Sequence, residues 1–396
     1  MISGTRRVRS GLDNLGTVYE HLEGKRIGLL TGPAAIDRNL RHSADILHSQ
    51  FHLTCLFAPE HGIRGDLQAG DPVAAAVDQR TGLPVHSLYG DHQAPTEAEL
   101  SEVDVLVVDL QDVGARFYTY IYTLAHAMES CARADIPVVV LDRPNPLGGK
   151  HVEGCLLKSP FRSFVGRYAM PARYGLTIGE FAIWLNQEEH LGCRLTISRL
   201  SGWRRSMYFD ETGLPWVSPS PNIPTVDSAL AYVGTCLFEG TNLSEGRGTT
   251  RPFEQIGAPW LDQARVMRRI DPIAIQGAGL RPCWFRPTFS KHAGTLCAGI
   301  QLHVFDRELF RPYMAGIALM DAIRATHPDF AFLPPSAAGL PMIDLLAGTD
   351  ELRLAFVDRD NFMNRAAQEA AGFAGTSKGC RLYLDEDRPD REPGAN

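Results

Sequence analysis

Glu60 is the residue of this chain most suited by its setting to acid–base work. It stands in Ala58-Pro-Glu-His-Gly-Ile-Arg-Gly65, held between Pro59 and His61. A carboxyl with low solvent access takes a raised pKa, which suits a general acid. The structural alternative is a Glu60–Arg64 pair that pins the loop. A second set lies at Asp109-Leu-Gln111-Asp112, followed by Arg116-Phe-Tyr118-Thr-Tyr120-Ile-Tyr122. These carboxylates either serve a site or cap helices and hold turns; the rings either join the core or stack on a sugar or base face. Asp142-Arg-Pro-Asn145-Pro is a third polar string. The densest runs from Phe238 to Glu254 and carries Glu239, Asn242, Glu245, Arg247 and Arg251. Its glycines let the backbone approach a ligand closely, while Arg247 and Arg251 are suited to clamp a carboxylate through parallel hydrogen bonds. Upstream, the proline-stiffened stretch Pro215–Pro224, with Asn222, forms either a wall of the site or an inert loop.

The elements that must position these residues are legible in the first half. Lys25–Thr31, Leu53–Ala58, Val85–Tyr89, Val103–Leu110 and Ile136–Leu141 are short apolar runs bounded by Gly, Pro or Asp, which predicts strands. Helices are expected at about 41–50, 96–102 and 117–134; in the last, Phe117, Ile121, Leu124, Met128 and Cys131 recur at helical spacing and give one buried stripe. Tyr118 and Tyr122 fall off that stripe. Strands alternating with helices imply a parallel sheet with right-handed crossovers, whose ligands gather at the carboxyl ends of the strands. The first three polar strings all follow predicted strands. Further on, Thr177–Glu189 reads as a helix with a Thr177/Glu180 capping box, Arg194–Leu200 as a strand, Gly299–Phe305 as a strand and Pro312–Thr326 as a helix. Residues 203–259 show little periodicity and read as functional loops. The expected division is an α/β parallel-sheet domain over 1–155, a second α/β or α+β domain over 156–385 with Gly- and Pro-rich cleft loops, and a flexible tail over 386–396.

Composition narrows the function. The 396 residues carry 39 basic and 46 acidic side chains, a formal charge of −7. Without basic clusters, phosphate neutralisation is unsupported, so nucleic acid is not an expected partner. No apolar run approaches the roughly 20 residues that span a bilayer, and the N-terminal residues lack the apolar stretch of a secretory signal. A cytoplasmic protein without membrane attachment is therefore expected, with export left open. The eight cysteines form no C-x-x-C pair and read as buried free thiols. There is no G-x-G-x-x-G after the first strand, no Walker A and no H-E-x-x-H, so neither a cofactor nor a metal is called for.

Five strings taken together resemble the NamZ-type exo-β-N-acetylmuramidases, a bacterial glycoside hydrolase family: Ala58–Gly65, Asp109–Tyr120, Leu141–Pro146, Pro219–Pro224 and Phe238–Thr249. They occur in order between about Gly11 and residue 350. The resemblance implies a Rossmann-like N-terminal domain without a dinucleotide, a second α/β domain, and an active site in the cleft between them. It implies release of non-reducing-end N-acetylmuramic acid from peptidoglycan fragments, with the catalytic glutamate at Glu60. One departure is Gly32, where family members commonly show Asn. On this reading Glu60 protonates the leaving oxygen, while Asp109, Asp112, Glu239 or Glu245 activates water or steadies the 2-acetamido group. Tyr118 or Tyr120 orients the sugar or Glu60, and Arg247 or Arg251 holds the lactyl carboxylate; His61, Arg64, Gln111, Arg116, Asn145, Asn222 and Asn242 are further expected contacts. Two rivals stand beside it: a non-catalytic binder of wall fragments, and a metal-dependent hydrolase built on His61, Asp66 and Asp109.

Overall fold

The computed structural model describes residues 8–65, 76–90, 92–335, 339–354 and 359–384. Asp66 and the expected tail over 386–396 lie outside the described residues. Seven strands form the first sheet: β1 (Ile27–Thr31), β2 (Leu53–Ala58), β3 (Ala76–Val77), β4 (Pro84–Ser87), β5 (Val105–Asp109), β6 (Val138–Leu141) and β7 (Leu195–Ser198). Their order is β3-β4-β2-β1-β5-β6-β7, and all neighbours are parallel except the β3–β4 edge pair. Side chains alternate between the faces. Ile27, Leu29, Val105 and Val107 enter the core on one side, and Leu30, Leu106 and Val108 the core on the other. Burial on both faces explains why these strands read as unbroken apolar runs.

The chain builds outward from β1 to β2 and β4, then returns to place β5 on the other flank of β1. That reversal opens a crevice at the carboxyl ends of the strands. Helix α1 (Ser43–Gln50) links β1 to β2, and α2 (Tyr120–Arg133) links β5 to β6. The expected stripe of Ile121, Leu124, Met128 and Cys131 is buried, and so are Tyr118 and Tyr122, which fall off that stripe. Packing covers α2 nearly all round, and the Tyr122 hydroxyl is satisfied internally by the Arg116 carbonyl at 2.6 Å. Arg116 to Thr119 precede the helix; they form a turn and do not open it.

Helix α3 (Ile178–Glu188) starts at the expected capping box: Thr177 Oγ1 accepts from the Glu180 N–H at 3.1 Å, and the Glu180 carboxylate accepts from the Thr177 N–H at 3.1 Å. β7 follows it and pairs with β6, so the first sheet continues past the expected boundary at 155. The stretch 203–259 contains an unexpected helix, α4 (Val226–Thr235), capped by Thr225. Nine of its ten residues are buried, so it has no polar face to create a helical period. β8 (Gln255–Ala258), β9 (Ala278–Phe285) and β10 (Cys297–Val304) form an antiparallel sheet in the order β8-β10-β9. Helix α5 (Pro312–Thr326) matches its expected bounds and crosses α4 at glycines: a Cβ on Gly234 would lie 1.9 Å from the Pro312 carbonyl oxygen. The second unit is thus of the α+β kind. All eight cysteines are buried and free. No helix among the described residues is long and apolar enough to cross a membrane.

Candidate active site

A cavity of about 780 Å³ opens at the carboxyl edge of the first sheet and is closed by the second unit. β2 delivers Glu60 and His61, β4 delivers Tyr89, and the turn before α2 delivers Phe117, Tyr118 and Thr119. Opposite them stand Asn222, Tyr232, Glu239, Arg247 and Phe253, with Phe289 and Ser290 at one side. Three non-glycine residues of this wall have left-handed backbone: His61 at φ 74°, Phe253 at 65° and Ser290 at 66°. Only seven such residues occur among those described. Such conformations cost on the order of 1–3 kcal/mol each and persist where the surroundings over-determine them, so they gather at functional sites.

Glu60 is half-buried, and its position is set by groups distant in sequence. Thr119 Oγ1 donates to Glu60 Oε2 at 3.0 Å, and the Tyr89 hydroxyl hydrogen-bonds the same carboxylate. Burial first, then the adjacent Glu60 charge, pushes the Tyr89 hydroxyl up to about 12. The backbone is held separately: the Tyr120 hydroxyl lies 3.1 Å from the Glu60 carbonyl oxygen and 3.0 Å from that of Pro219. Thr119 and Tyr89 both present hydroxyls to Glu60, groups that donate to a carboxylate and accept from a carboxylic acid. The same contacts therefore serve either protonation state. Gly32 sits against Tyr120; a Cβ there would lie 3.4 Å from the Tyr120 hydroxyl.

Arg64 does not pair with Glu60. It forks onto Asp78 at 3.0 Å and Asp45 at 2.9 Å, anchoring the loop from below. Asp109 is fully buried and bound through both oxygens to Arg143, at 2.5 and 2.8 Å. Of His61, Asp66 and Asp109, Asp109 is spent in this way and Asp66 lies outside the described residues; no metal-binding cluster occurs among the described residues. Gln111 donates to the carbonyls of Asp112 and Pro144, and Asn145 donates to that of Leu176. Asp112 accepts from the Gly114 N–H and the Tyr174 hydroxyl. Burial raises its carboxyl to about 6, against the pull of those donors. Arg116 is fully buried and donates to the carbonyls of Cys155, Met170 and Leu346. None of these residues lines the cavity. They brace the strand-end loops, because a buried polar group must be satisfied wherever the chain turns.

The Gly-rich string divides likewise. Glu239 and Arg247 line the cavity as an ion pair, with Arg247 Nη2 at 2.7 Å and Nε at 3.2 Å from Glu239 Oε1. Arg247 also lies over the Phe253 ring, 5.1 Å from its centroid. Glu245 is buried behind this pair, 2.8 Å from Lys291 Nζ and 3.6 Å from Arg247 Nε. Asn242 is engaged with the backbone of Asp329 and Ala331. Arg251 pairs with Glu254 at 3.1 Å and faces a separate depression bounded by Gln301 and Phe305. Of the expected residues, Glu60, His61, Tyr118, Asn222, Glu239 and Arg247 share the cavity. Thr119 and Tyr89 had not been singled out. Tyr89 is the last residue of a predicted strand and lies just past the observed β4, where the strand-end rule points, whereas Phe164 and Phe289 have no local signature.

Comparison with known proteins agrees along the whole chain. Residues 27–227 match the model of the N-terminal part of exo-β-N-acetylmuramidase NamZ, and residues 230–383 match that of its C-terminal part. The chain is 46% identical over 384 residues to the peptidoglycan β-N-acetylmuramidase NamZ of Bacillus subtilis strain 168, covering 95% of this chain and 92% of that protein. Among solved structures, two DUF1343 family proteins of Bacteroides fragilis superpose with TM-scores of 0.87 and 0.78, at 34% and 30% identity. They cover 95% and 96% of this chain, and 99% of each of theirs.

Proposed function

The chain belongs to the NamZ exo-β-N-acetylmuramidase family, and from that premise we propose that its cavity takes the non-reducing-end N-acetylmuramic acid of a peptidoglycan fragment. The protein is a glycosidase acting on peptidoglycan-derived sugar. The finer reading is that MurNAc-GlcNAc is a sufficient substrate and that Glu60 protonates the glycosidic oxygen as the bond to the sugar breaks. The observation that carries this role is the Glu60 carboxylate at the cavity wall, steadied by Thr119 and Tyr89. Glu239, across the cavity, is the other carboxylate among the described residues that line it and takes the second role, activating water or steadying the 2-acetamido group. It displaces Glu245, which stands behind Arg247. Arg247 uses two of its five donors on Glu239 and is the cation assigned to the lactyl carboxylate. Tyr118 lines the cavity and is assigned to orient the sugar.

The test uses MurNAc-GlcNAc beside the reversed disaccharide GlcNAc-MurNAc. Wild-type protein is expected to release N-acetylmuramic acid from the first and nothing from the second. Glu60→Gln keeps size and hydrogen bonding but removes the acid, and turnover should drop by about 10²–10⁴-fold. Folded Glu60→Gln that hydrolyses a chromogenic muramide at the wild-type rate would sink the assignment of Glu60. Binding of the disaccharide without release by wild type would instead favour a carrier.

A further inference from the structure

Beside the cavity runs a second, shallower groove of about 640 Å³, and Asn222 and Phe289 line both. Its floor is the outer face of β9, where Trp284 alternates with the inward residues Cys283 and Phe285. Trp284 is 64% exposed and Phe289 44%. What sets these two apart is that both exposed rings lie along one groove that joins the cavity. Thr249, Thr250, Thr288, Gln255 and Arg286 supply polar groups along the groove, and Pro221, Gly248 and Phe285 complete the lining. Asn222 is 4% exposed, and its Nδ2 has no hydrogen-bond partner among the described residues. A buried amide donor left unsatisfied at the junction of two depressions is a group awaiting a ligand.

We propose that this groove holds the reducing-side continuation of a β-1,4-linked amino-sugar chain whose terminal residue fills the cavity, with Trp284 as its stacking platform and Asn222 donating at the junction. The proposal rests on the glycosidase reading above and extends it from a disaccharide to a longer glycan. A pyranose ring presents a flat apolar C–H face and a polar rim, which matches one exposed indole among hydroxyl, amide and guanidinium groups. The hydroxyl, amide and guanidinium groups beside the rings, and continuity with the cavity, favour a sugar chain over an apolar protein surface. Arg286 supplies a cation for a second lactyl carboxylate further along the chain. Contacts remote from the cleaved bond raise kcat/KM for the longer substrate when they persist in the transition state.

The experiment compares kcat/KM for MurNAc-GlcNAc and for the tetrasaccharide MurNAc-GlcNAc-MurNAc-GlcNAc. Wild type is expected to favour the tetrasaccharide about fivefold, a factor of the size one ring contact provides. Trp284→Ala should bring the ratio of the two values close to one, and Trp284→Phe should restore most of it. Equal values in wild type, or an unchanged ratio in Trp284→Ala, overturn the proposal. A second readout is independent of turnover: the tetrasaccharide should quench tryptophan fluorescence in Glu60→Gln but not in the Glu60→Gln/Trp284→Ala double variant. Quenching of equal size in both also overturns it. Loss of disaccharide cleavage by wild type would strike the glycosidase reading itself, and the fluorescence result would still decide the groove.

Discussion

Thr119 occupies the position before the first turn of α2, where a threonine hydroxyl ordinarily accepts a helix N–H. Here it caps nothing and donates to Glu60 instead. The helix start forgoes a capping bond, and the cavity gains a group that orients the Glu60 carboxylate. Asp112 shows the opposite allocation: a carboxylate at a strand end, expected in the site, buried as part of the loop's framework. Burial lifts its pKa from the ordinary 3.8 to about 6. A carboxyl whose folded pKa is raised stabilises the protein below the unfolded value, and that stability is lost as pH climbs through the folded value. At 1.36 kcal/mol per pKa unit, the difference is on the order of 3 kcal/mol. Urea unfolding should therefore show wild type losing about that much more stability than Asp112→Asn between about pH 4 and pH 8. Parallel pH profiles for the two proteins would show that Asp112 does not titrate in this range.

Among the elements, α3 is tied to the rest of the molecule by its third residue. Glu180 closes the capping box, receives Arg205 Nη1 at 2.7 and 2.9 Å, and accepts the Leu382 N–H at 2.9 Å. Both Glu180 and Arg205 are buried, so removing one charge strands the other, an effect of about 3–5 kcal/mol. Glu180→Gln should lower the unfolding free energy by about 3 kcal/mol, and adding Arg205→Met should recover part of it. If the double variant is as unstable as the sum of the singles, the pair is not coupled as the geometry requires. The capping box could be read from Thr177 and Glu180 alone, since both partners lie within one turn. Helix α4 could not, because burial on every side erased the polar period that marks a helix. Its threonine cap was the remaining clue.

At the scale of the whole molecule, Arg116 joins parts of the chain that form the cavity. Its guanidinium reaches the carbonyls of Cys155 and Met170 at 2.8 and 2.7 Å, and that of Leu346 at 2.8 Å. Leu346 belongs to the short helix Met342–Ala347 and itself lines the cavity. Three carbonyls around one planar fork need its geometry as well as its charge, so lysine is a poor substitute. Arg116→Lys should cost about 3 kcal/mol or more by thermal or urea unfolding, and should lower kcat/KM on MurNAc-GlcNAc because the cavity wall loosens. Wild-type stability in Arg116→Lys would contradict the bridging role. The comparison across families leads to the same scale: relatives match both units over nearly the whole chain, in keeping with a cavity built from both.

The alternation of apolar runs and helices determined the parallel sheet, and the rule that ligands collect at carboxyl strand ends led directly to Glu60. Those are local properties, written in residues a few positions apart. Five ordered strings were enough to indicate the family. What the tertiary structure alone decided was the placement and the partners of each polar residue within those strings. Glu60 meets Thr119 across 59 positions, and Asp109 meets Arg143 across 34. Loops have no period that tells an inward side chain from one facing a cavity, so Asp109, Asp112, Arg116 and Asn145 looked as available as Glu60 and Glu239. Buried polar groups must find partners, and only the packed chain shows which of them already have.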